Sequence, residues 1–257
     1  MATPPNSPAA VLITGASSGI GEALAKAYAA PGRFLALAGR DRGRLDAVAK
    51  ACRGFGAEVE AAAIDVTDRG AMRAWIEGVD DRHPIDLAIA NAGISAGTGG
   101  QGESEEQCRN IFAVNLDGVL NTAWPALTRM RGRRRGQIAI ISSIAAFRGL
   151  PGTPAYSASK AAVKAYGEAL RGWLAKDGIR VSVVCPGFVR SRMTAVNKFP
   201  MPMIMDADKA AGIIVKGLAR DKARIAFPWP MYALLWLLGA LPPAWTDPLL
   251  KVVPEKE

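Results

Sequence analysis

With 257 residues, half of them apolar, the chain can bury the core of one large α/β domain. His83 is the only histidine, and the isolated Cys52, Cys108 and Cys185 show no zinc spacing, so no metal site is expected and a reducing, cytoplasmic setting fits. The net charge of +9 is partly gathered at Arg129, Arg131, Arg133, Arg134 and Arg135, but no interleaved aromatic or nucleic-acid motif accompanies it, so a solvated turn is expected rather than a nucleic-acid partner.

Residues 1–8 are expected to be disordered and lack the apolar core of a secretory signal. Val11 to Ile13 reads as a buried strand closed by a Gly/Ser-rich turn. A helix through Glu22 to Ala29 and a strand at Phe34 to Ala38 follow. Leu45, Val48, Ala49 and Cys52 have helical spacing, Val59 to Ile64 is strand-like, and Met72, Trp75, Ile76 and Val79 mark another helix. Leu87 to Ala90 is a strand ending in Asn91-Ala92-Gly93. One helical stretch holds Ile111, Val114 and Asn115 and runs toward Met130. Ile138 to Ile141 is a strand ending at Ser142-Ser143. The helix with Tyr156 and Lys160 continues to about Lys176. Val181 to Val184 leads into Cys185-Pro186-Gly187, and a helix near Asp208 to Ala219 and a strand at Ile225 to Phe227 complete the series. Strands and helices alternate about seven times, with apolar runs suited to strands covered on both faces. The pattern predicts a single doubly wound parallel sheet of about seven strands over residues 9–226, followed by an apolar C-terminal segment, 227–257, of the same domain. Ligands then belong beyond the carboxyl ends of the strands.

The turn from Thr14 to Gly21 joins the first strand to the first helix. Its glycines let the backbone approach a pyrophosphate, and the helix N-terminus offers free N–H groups. Gly15-x-Ser17-x-Gly19 also matches the nucleophile elbow of serine hydrolases, with Ser17 as nucleophile. That alternative needs a histidine after the nucleophile, and only His83 is available. Tyr156 and Lys160 lie four apart and share one helix face. A nearby ammonium would lower the phenol's pKa and make the pair a proton-transfer unit.

The spacing Gly-x-x-x-Gly-x-Gly resembles that of the classical short-chain dehydrogenases/reductases, and the likeness accumulates in order from Val11 to Met193. Asp65-Val66 resembles the adenine-contacting pair, Asn91-Ala92-Gly93 the element ending the fourth strand, and Asn115, Ser143, Tyr156 and Lys160 the catalytic positions. Pro186-Gly187 resembles the turn facing the nicotinamide, with Ser191 in place of a threonine. The resemblance implies a Rossmann-like fold, NAD(P)-dependent interconversion of a carbonyl compound and an alcohol, and a homodimer or homotetramer. It implies cofactor contacts at Gly15, Ser17, Ser18, Gly19, Ile20, Gly21, Arg40, Asp65, Val66, Asn91, Ala92, Gly93, Tyr156, Lys160, Pro186, Gly187, Val189 and Ser191. It also selects Ser143 over Ser142, whose side chain points to the opposite face. A non-catalytic NADP-binding sensor is the other alternative, disfavoured because all four catalytic positions are filled.

Gly39 stands where an acidic residue would select NAD, and Arg40 follows it, so NADP(H) is favoured over NAD(H); the alternative is that Asp41 reads the ribose. Candidate substrate walls are Ser95, Ala96, Phe147, Met193 and the loop with Phe199, Met201, Met203 and Met205, which suits an apolar carbonyl compound. From Ile225 to Thr246 there is no charged residue. Its helical run between prolines is too short to span a bilayer. A helix-turn-helix cap or subunit interface is the preferred reading. The other is peripheral membrane contact through Trp229, Trp236 and Trp245, flanked by Lys222, Arg224 and Lys251.

Overall fold

A computed structural model describes residues 8–95, 103–197 and 200–250. The expected disorder of the N-terminus therefore falls, but for residue 8, outside the described residues, as do Ala96, Phe199 and Lys251. Seven parallel strands form one sheet in the order β3-β2-β1-β4-β5-β6-β7. They are β1 (Ala10–Thr14), β2 (Phe34–Gly39), β3 (Glu58–Ala63), β4 (Leu87–Ala90), β5 (Gly136–Ile141), β6 (Ile179–Pro186) and β7 (Arg224–Phe227). The sheet is Rossmann-like, as the alternation predicted. β1 pairs with both β2 and β4, so Ile13 faces Leu37 on one side and Ile89 on the other. The strand order reverses there, which opens a crevice at the carboxyl ends.

Side-chain alternation sends each strand's residues into two cores. Val11 and Ile13 join one with α1 (Gly19–Tyr28), α2 (Arg42–Gly54) and α8 (Ala207–Ala219). Ala10 and Leu12 join the other with α3 (Arg69–Arg82), α5 (Gly118–Gly132) and α6 (Pro154–Leu174). Continuous apolar runs such as Phe34–Ala38 are buried because both faces are covered.

Two expectations change. The helix through Asn115 is not continuous: α4 (Glu105–Phe112) and α5 are joined by a π turn at Ala113–Asp117. The arginine run is not a free solvated turn. Arg129, Arg131, Arg133 and Arg135 pair with Asp81, Asp177, Asp80 and Asp86, and Arg134 donates to the Lys176 carbonyl. These contacts tie the α5–β5 turn to its neighbours; the Arg133–Asp80 pair is largely buried, whereas an exposed pair such as Arg129–Asp81 contributes at most about 1 kcal/mol.

The C-terminus is a helix-turn-helix, α9 (Trp229–Ala240) and α10 (Pro243–Leu250), following the short α7 (Arg192–Ala195) and α8 in chain order. β7 runs through Phe227, the end expected for the last strand. No helix among the described residues is long and apolar enough to cross a membrane.

Candidate active site

The turn after β1 needs its glycines. Gly15 and Gly19 have φ of +65° and +58°, and a Cβ on Gly21 would stand 2.2 Å from the Gly15 carbonyl. Asn91 braces this turn from β4: its Nδ2 donates to the Thr14 and Gly15 carbonyls at 2.9 and 3.1 Å. Thr14 Oγ1 accepts from the backbone N–H groups of Asn91 and Ala92. α1 starts at Ser18 with no side-chain cap, leaving its leading amides suited to an anion, with half-buried Ile20 in the first turn. These features fit a dinucleotide's pyrophosphate.

Ser17 lies against Gly39, where a Cβ would meet its hydroxyl at 3.1 Å. Arg40 is exposed, its guanidinium 3.9 Å from Asp65. Asp41 is already engaged: it caps α2 by accepting from the Arg44 N–H at 2.9 Å and pairs with the Arg44 guanidinium. Burial opposes ionisation of Asp65, but hydrogen bonds from Thr67 and the Arg40 charge outweigh it and hold the carboxyl below its usual range. Val66 is buried against Gly118 at the start of α5.

Ser142 and Ser143 separate as alternation requires. Ser142 Oγ donates to the Lys160 carbonyl at 2.7 Å, a structural bond. Ser143 Oγ donates to the Pro186 carbonyl at 3.4 Å and accepts from the Ala145 N–H at 3.1 Å. Lys160 Nζ lies 5.7 Å from the centre of the Tyr156 ring and donates to the Ile141 carbonyl at 3.0 Å. Burial pushes the Lys160 ammonium down to about 8. Burial also raises the Tyr156 phenol, opposed by the Ser143 hydrogen bond.

Asn115 is fully buried in the π turn. Its Oδ1 accepts from the Ile94 N–H at 2.8 Å, and its Nδ2 donates to the Ile94 carbonyl and to Ser159 Oγ. Ser159 in turn donates to the Tyr156 carbonyl at 2.8 Å, linking the π turn to the first turns of α6. A Cβ on Gly93 would sit 3.1 Å from Lys160 Nζ and 3.2 Å from Asn115 Oδ1, so glycine admits both groups to the end of β4. Sequence reasoning missed Ser159, legible only as the position one turn after Tyr156. It also missed Glu103, whose carboxylate accepts from the Ala155 N–H at 2.7 Å at the start of α6. An acidic residue just before the Ser104/Gln107 capping box was its available signal.

Beyond β6 the loop folds back over the glycine turn: a Cβ on Gly19 would meet Ser191 Cβ at 2.9 Å. Gly187 donates to the Phe227 carbonyl at 2.7 Å, and Val189 is buried and bridged to Met205. Ser95 and Met193 are half-buried, the latter on α7. The methionine loop divides: Met205 packs on the α1/α8 core, Met203 is exposed, and Met201 Sδ accepts from Asn197. Phe147 turns its ring to the C-terminal helix, edge-on to Tyr232 at 5.1 Å and under Arg224 at 5.3 Å. α9 presses on this loop closely enough that a Cβ on Gly239 would strike the Phe147 carbonyl. A cavity of about 480 Å³ lies between that loop, the start of α6 and α10, lined by Ala146, Phe147, Leu150, Ala158 and Leu250.

The hydrolase pairing is excluded by position. His83 stacks on Phe34 at the amino end of β2, whereas Ser17 lies at the carboxyl end of the sheet, about 20 Å away at 3.3 Å per residue. Among the described residues no cluster could hold a metal ion.

A profile described as short chain dehydrogenase matches residues 9–199. An uncharacterized oxidoreductase of Myxococcus xanthus is 38% identical over 90% of this chain and 92% of its own. The 3-oxoacyl-(acyl-carrier-protein) reductase of Thermotoga maritima is 31% identical over 82% and 90%. A short-chain dehydrogenase from Sphingobium yanoikuyae, solved with NADPH, superposes with a TM-score of 0.79 at 28% identity over 96% of this chain and 97% of that one. The profile match and the similarity over nearly the whole chain make this protein a member of the short-chain dehydrogenase/reductase family, an NAD(P)-dependent oxidoreductase.

Proposed function

We propose that the enzyme reduces an apolar ketone or aldehyde with NADPH, or oxidises the corresponding alcohol with NADP, using Tyr156 as general acid and base. The observation that carries this reading is the gathering of Tyr156, Ser143 and the buried Lys160 in one place, with Lys160 Nζ 5.7 Å from the centre of the Tyr156 ring and Ser143 close enough to oppose the rise of the phenol. The nicotinamide, when bound, supplies or accepts the hydride. In reduction Tyr156 gives its proton to the substrate oxygen, and in oxidation its phenolate takes one back. Ser143 hydrogen-bonds the same oxygen and stabilises the negative charge that develops on it. Lys160 contributes positive charge beside the phenol and a donor for the nicotinamide ribose. Asn115 fixes the end of β4 and, with the remaining lone pair of its Oδ1, holds a water that links Lys160 to solvent.

The dinucleotide would rest on Gly15, Ser17, Ser18, Gly19, Ile20 and Gly21, with Asp65 and Val66 at the adenine, Asn91, Ala92 and Gly93 under the ribose, and Pro186, Gly187, Val189 and Ser191 at the carboxamide. Two observations support NADP(H). Arg40 is exposed at the end of β2, and Asp41 is occupied as a helix cap. A guanidinium matches a 2′-phosphate bidentately.

For the substrate, the 3-oxoacyl reductase among the relatives and the apolar cavity beside α6 support an apolar carbonyl compound, with Ser95 and Met193 as walls. The exposed pair Trp124 and Trp173, 6.1 Å apart on α5 and α6, supports a homodimer or homotetramer. Three free cysteines support a cytoplasmic setting. The deciding experiment is oxidation of NADPH, and separately NADH, against a panel of aldehydes, ketones and oxoacyl thioesters. NADPH consumption that rises with the apolar character of the carbonyl is expected. No nicotinamide turnover with any of them would refute the reading.

A further inference from the structure

α9 has no polar face. One side packs inward, with Met231, Tyr232 and Leu235 on the Ile144, Val183 and Cys185 cluster. The other side, with α10, leaves Trp229, Leu234, Trp236, Leu237, Trp245 and Leu249 between 51% and 71% exposed. The polar side chains of this segment have internal partners: Tyr232 accepts from Arg224 at 3.2 Å, Thr246 accepts from Arg148 at 3.1 Å, and Asp247 of α10, although 58% exposed, is neutralised by its ion pair with Arg148. The outward face therefore offers three indole N–H donors and no charged group between Ile225 and Thr246.

An apolar, aromatic face also suits the core of a homodimer interface, so the charge beside the face is what favours a lipid occupant over a second copy. Indoles combine an apolar body with one donor and settle at the headgroup level of a bilayer. Charge is complementary to anionic lipid: the chain carries +9, and the exposed Arg220 and Lys222, in no ion pair among the described residues, stand just before β7. The Arg224–Tyr232 bond ties that end of β7 to α9. α9 has 12 residues, about 18 Å at 1.5 Å per residue, too short to span.

We propose that the outward face of α9 and α10 lies on an anionic bilayer surface, with the indoles among headgroups and the leucines among acyl chains. The inner face of α9 covers the loop that follows Ser143, so docking would hold that loop about one helix diameter, 10 Å, from the lipid. This proposal does not depend on the assigned substrate or on NADP preference.

The full chain is pelleted with vesicles of phosphatidylcholine and phosphatidylglycerol in equal parts, and with phosphatidylcholine alone. Sedimentation with the anionic vesicles at low salt is expected. Changing Trp229, Trp236 and Trp245 together to Ser should weaken partition by about tenfold or more while NADPH turnover and the thermal melt persist. Arg220→Glu with Lys222→Glu should weaken binding to anionic vesicles only. Brominated lipid should quench the tryptophan fluorescence of the unaltered protein, a readout that needs no variant. Absence of both sedimentation and quenching would overturn the proposal, as would a serine variant that stays folded and pellets unchanged. So would an oligomer that ignores vesicles and falls to monomer in that variant, since a second copy would then be the occupant.

Discussion

Lys160 Nζ stands 5.7 Å from the centre of the Tyr156 ring but gives its hydrogen bond to the Ile141 carbonyl. One backbone acceptor is modest compensation for a desolvated ammonium, and burial pushes this one down to about 8 from 10.5. The buried charge therefore costs stability below about pH 8, where both states hold the proton. Between about 8 and 10.5 the folded chain loses its proton before the unfolded chain does, so the unfolded state binds more protons and stability rises with pH. Urea midpoints of the cofactor-free protein should climb across that window relative to Lys160→Met, which removes the titration and keeps most of the packing. The variant should gain stability at neutral pH and lose turnover. Parallel pH profiles for the two proteins would contradict this account.

The pH dependence of turnover follows from a different pair. Burial raises the Tyr156 phenol and Ser143 opposes it. Alcohol oxidation needs the phenolate, so its kcat/KM should rise toward alkaline pH, whereas carbonyl reduction needs the phenol and should fall there. Ser143→Ala removes the opposing hydrogen bond and should move both profiles to higher pH, besides slowing turnover. Tyr156→Phe should lower kcat by about 10²–10⁴, the usual contribution of a positioned acid or base. Steady-state rates in both directions across the pH range check both expectations.

What the sequence made legible divides along physical lines. Strands buried on both faces read as apolar runs, and the glycine turn reads by spacing, because each depends on local residue types alone. Ser142 and Ser143 could be separated in advance because alternation along a strand is obligatory. The π turn at Asn115 could not, since its five residues are too few to reveal a change of period. The arginine run misled because its carboxylate partners, Asp80, Asp81, Asp86 and Asp177, come from other elements. The contact of the Phe147 ring with Tyr232, across more than eighty residues, is not legible in the sequence, while Phe147 also lines the cavity beside α6.

Arg40 tests the choice of cofactor. Its guanidinium is exposed and 3.9 Å from Asp65, too loose a pair to hold it. Arg40→Ala should raise the KM for NADPH roughly ten- to a hundredfold, the range of a lost charge-assisted hydrogen bond, and leave that for NADH nearly unchanged. Asp41→Ala should instead lower helix stability by about 1 kcal/mol, since Asp41 caps α2. A selective loss of NADH use in Asp41→Ala would show that the aspartate reads the ribose after all.

Glu103 connects the start of α4 to the start of α6, the helix whose third residue is Tyr156. A carboxylate accepting from a first-turn N–H stabilises the helix N-terminus by its charge and by its hydrogen bond. Glu103→Ala should cost about 1 kcal/mol of stability and lower kcat, because the first turn of α6 sets the Tyr156 hydroxyl against Ser143. Glu103→Gln keeps an acceptor and removes the charge, so it should recover most of kcat and only part of the stability. KM for the nicotinamide cofactor should change less than kcat in both, since the glycine turn belongs to β1 and α1 rather than to α6. If kcat followed stability in step across the two variants, Glu103 would be a helix cap with no hold on the tyrosine. A kcat rescued by glutamine while the melt stays low would make it a positioning residue.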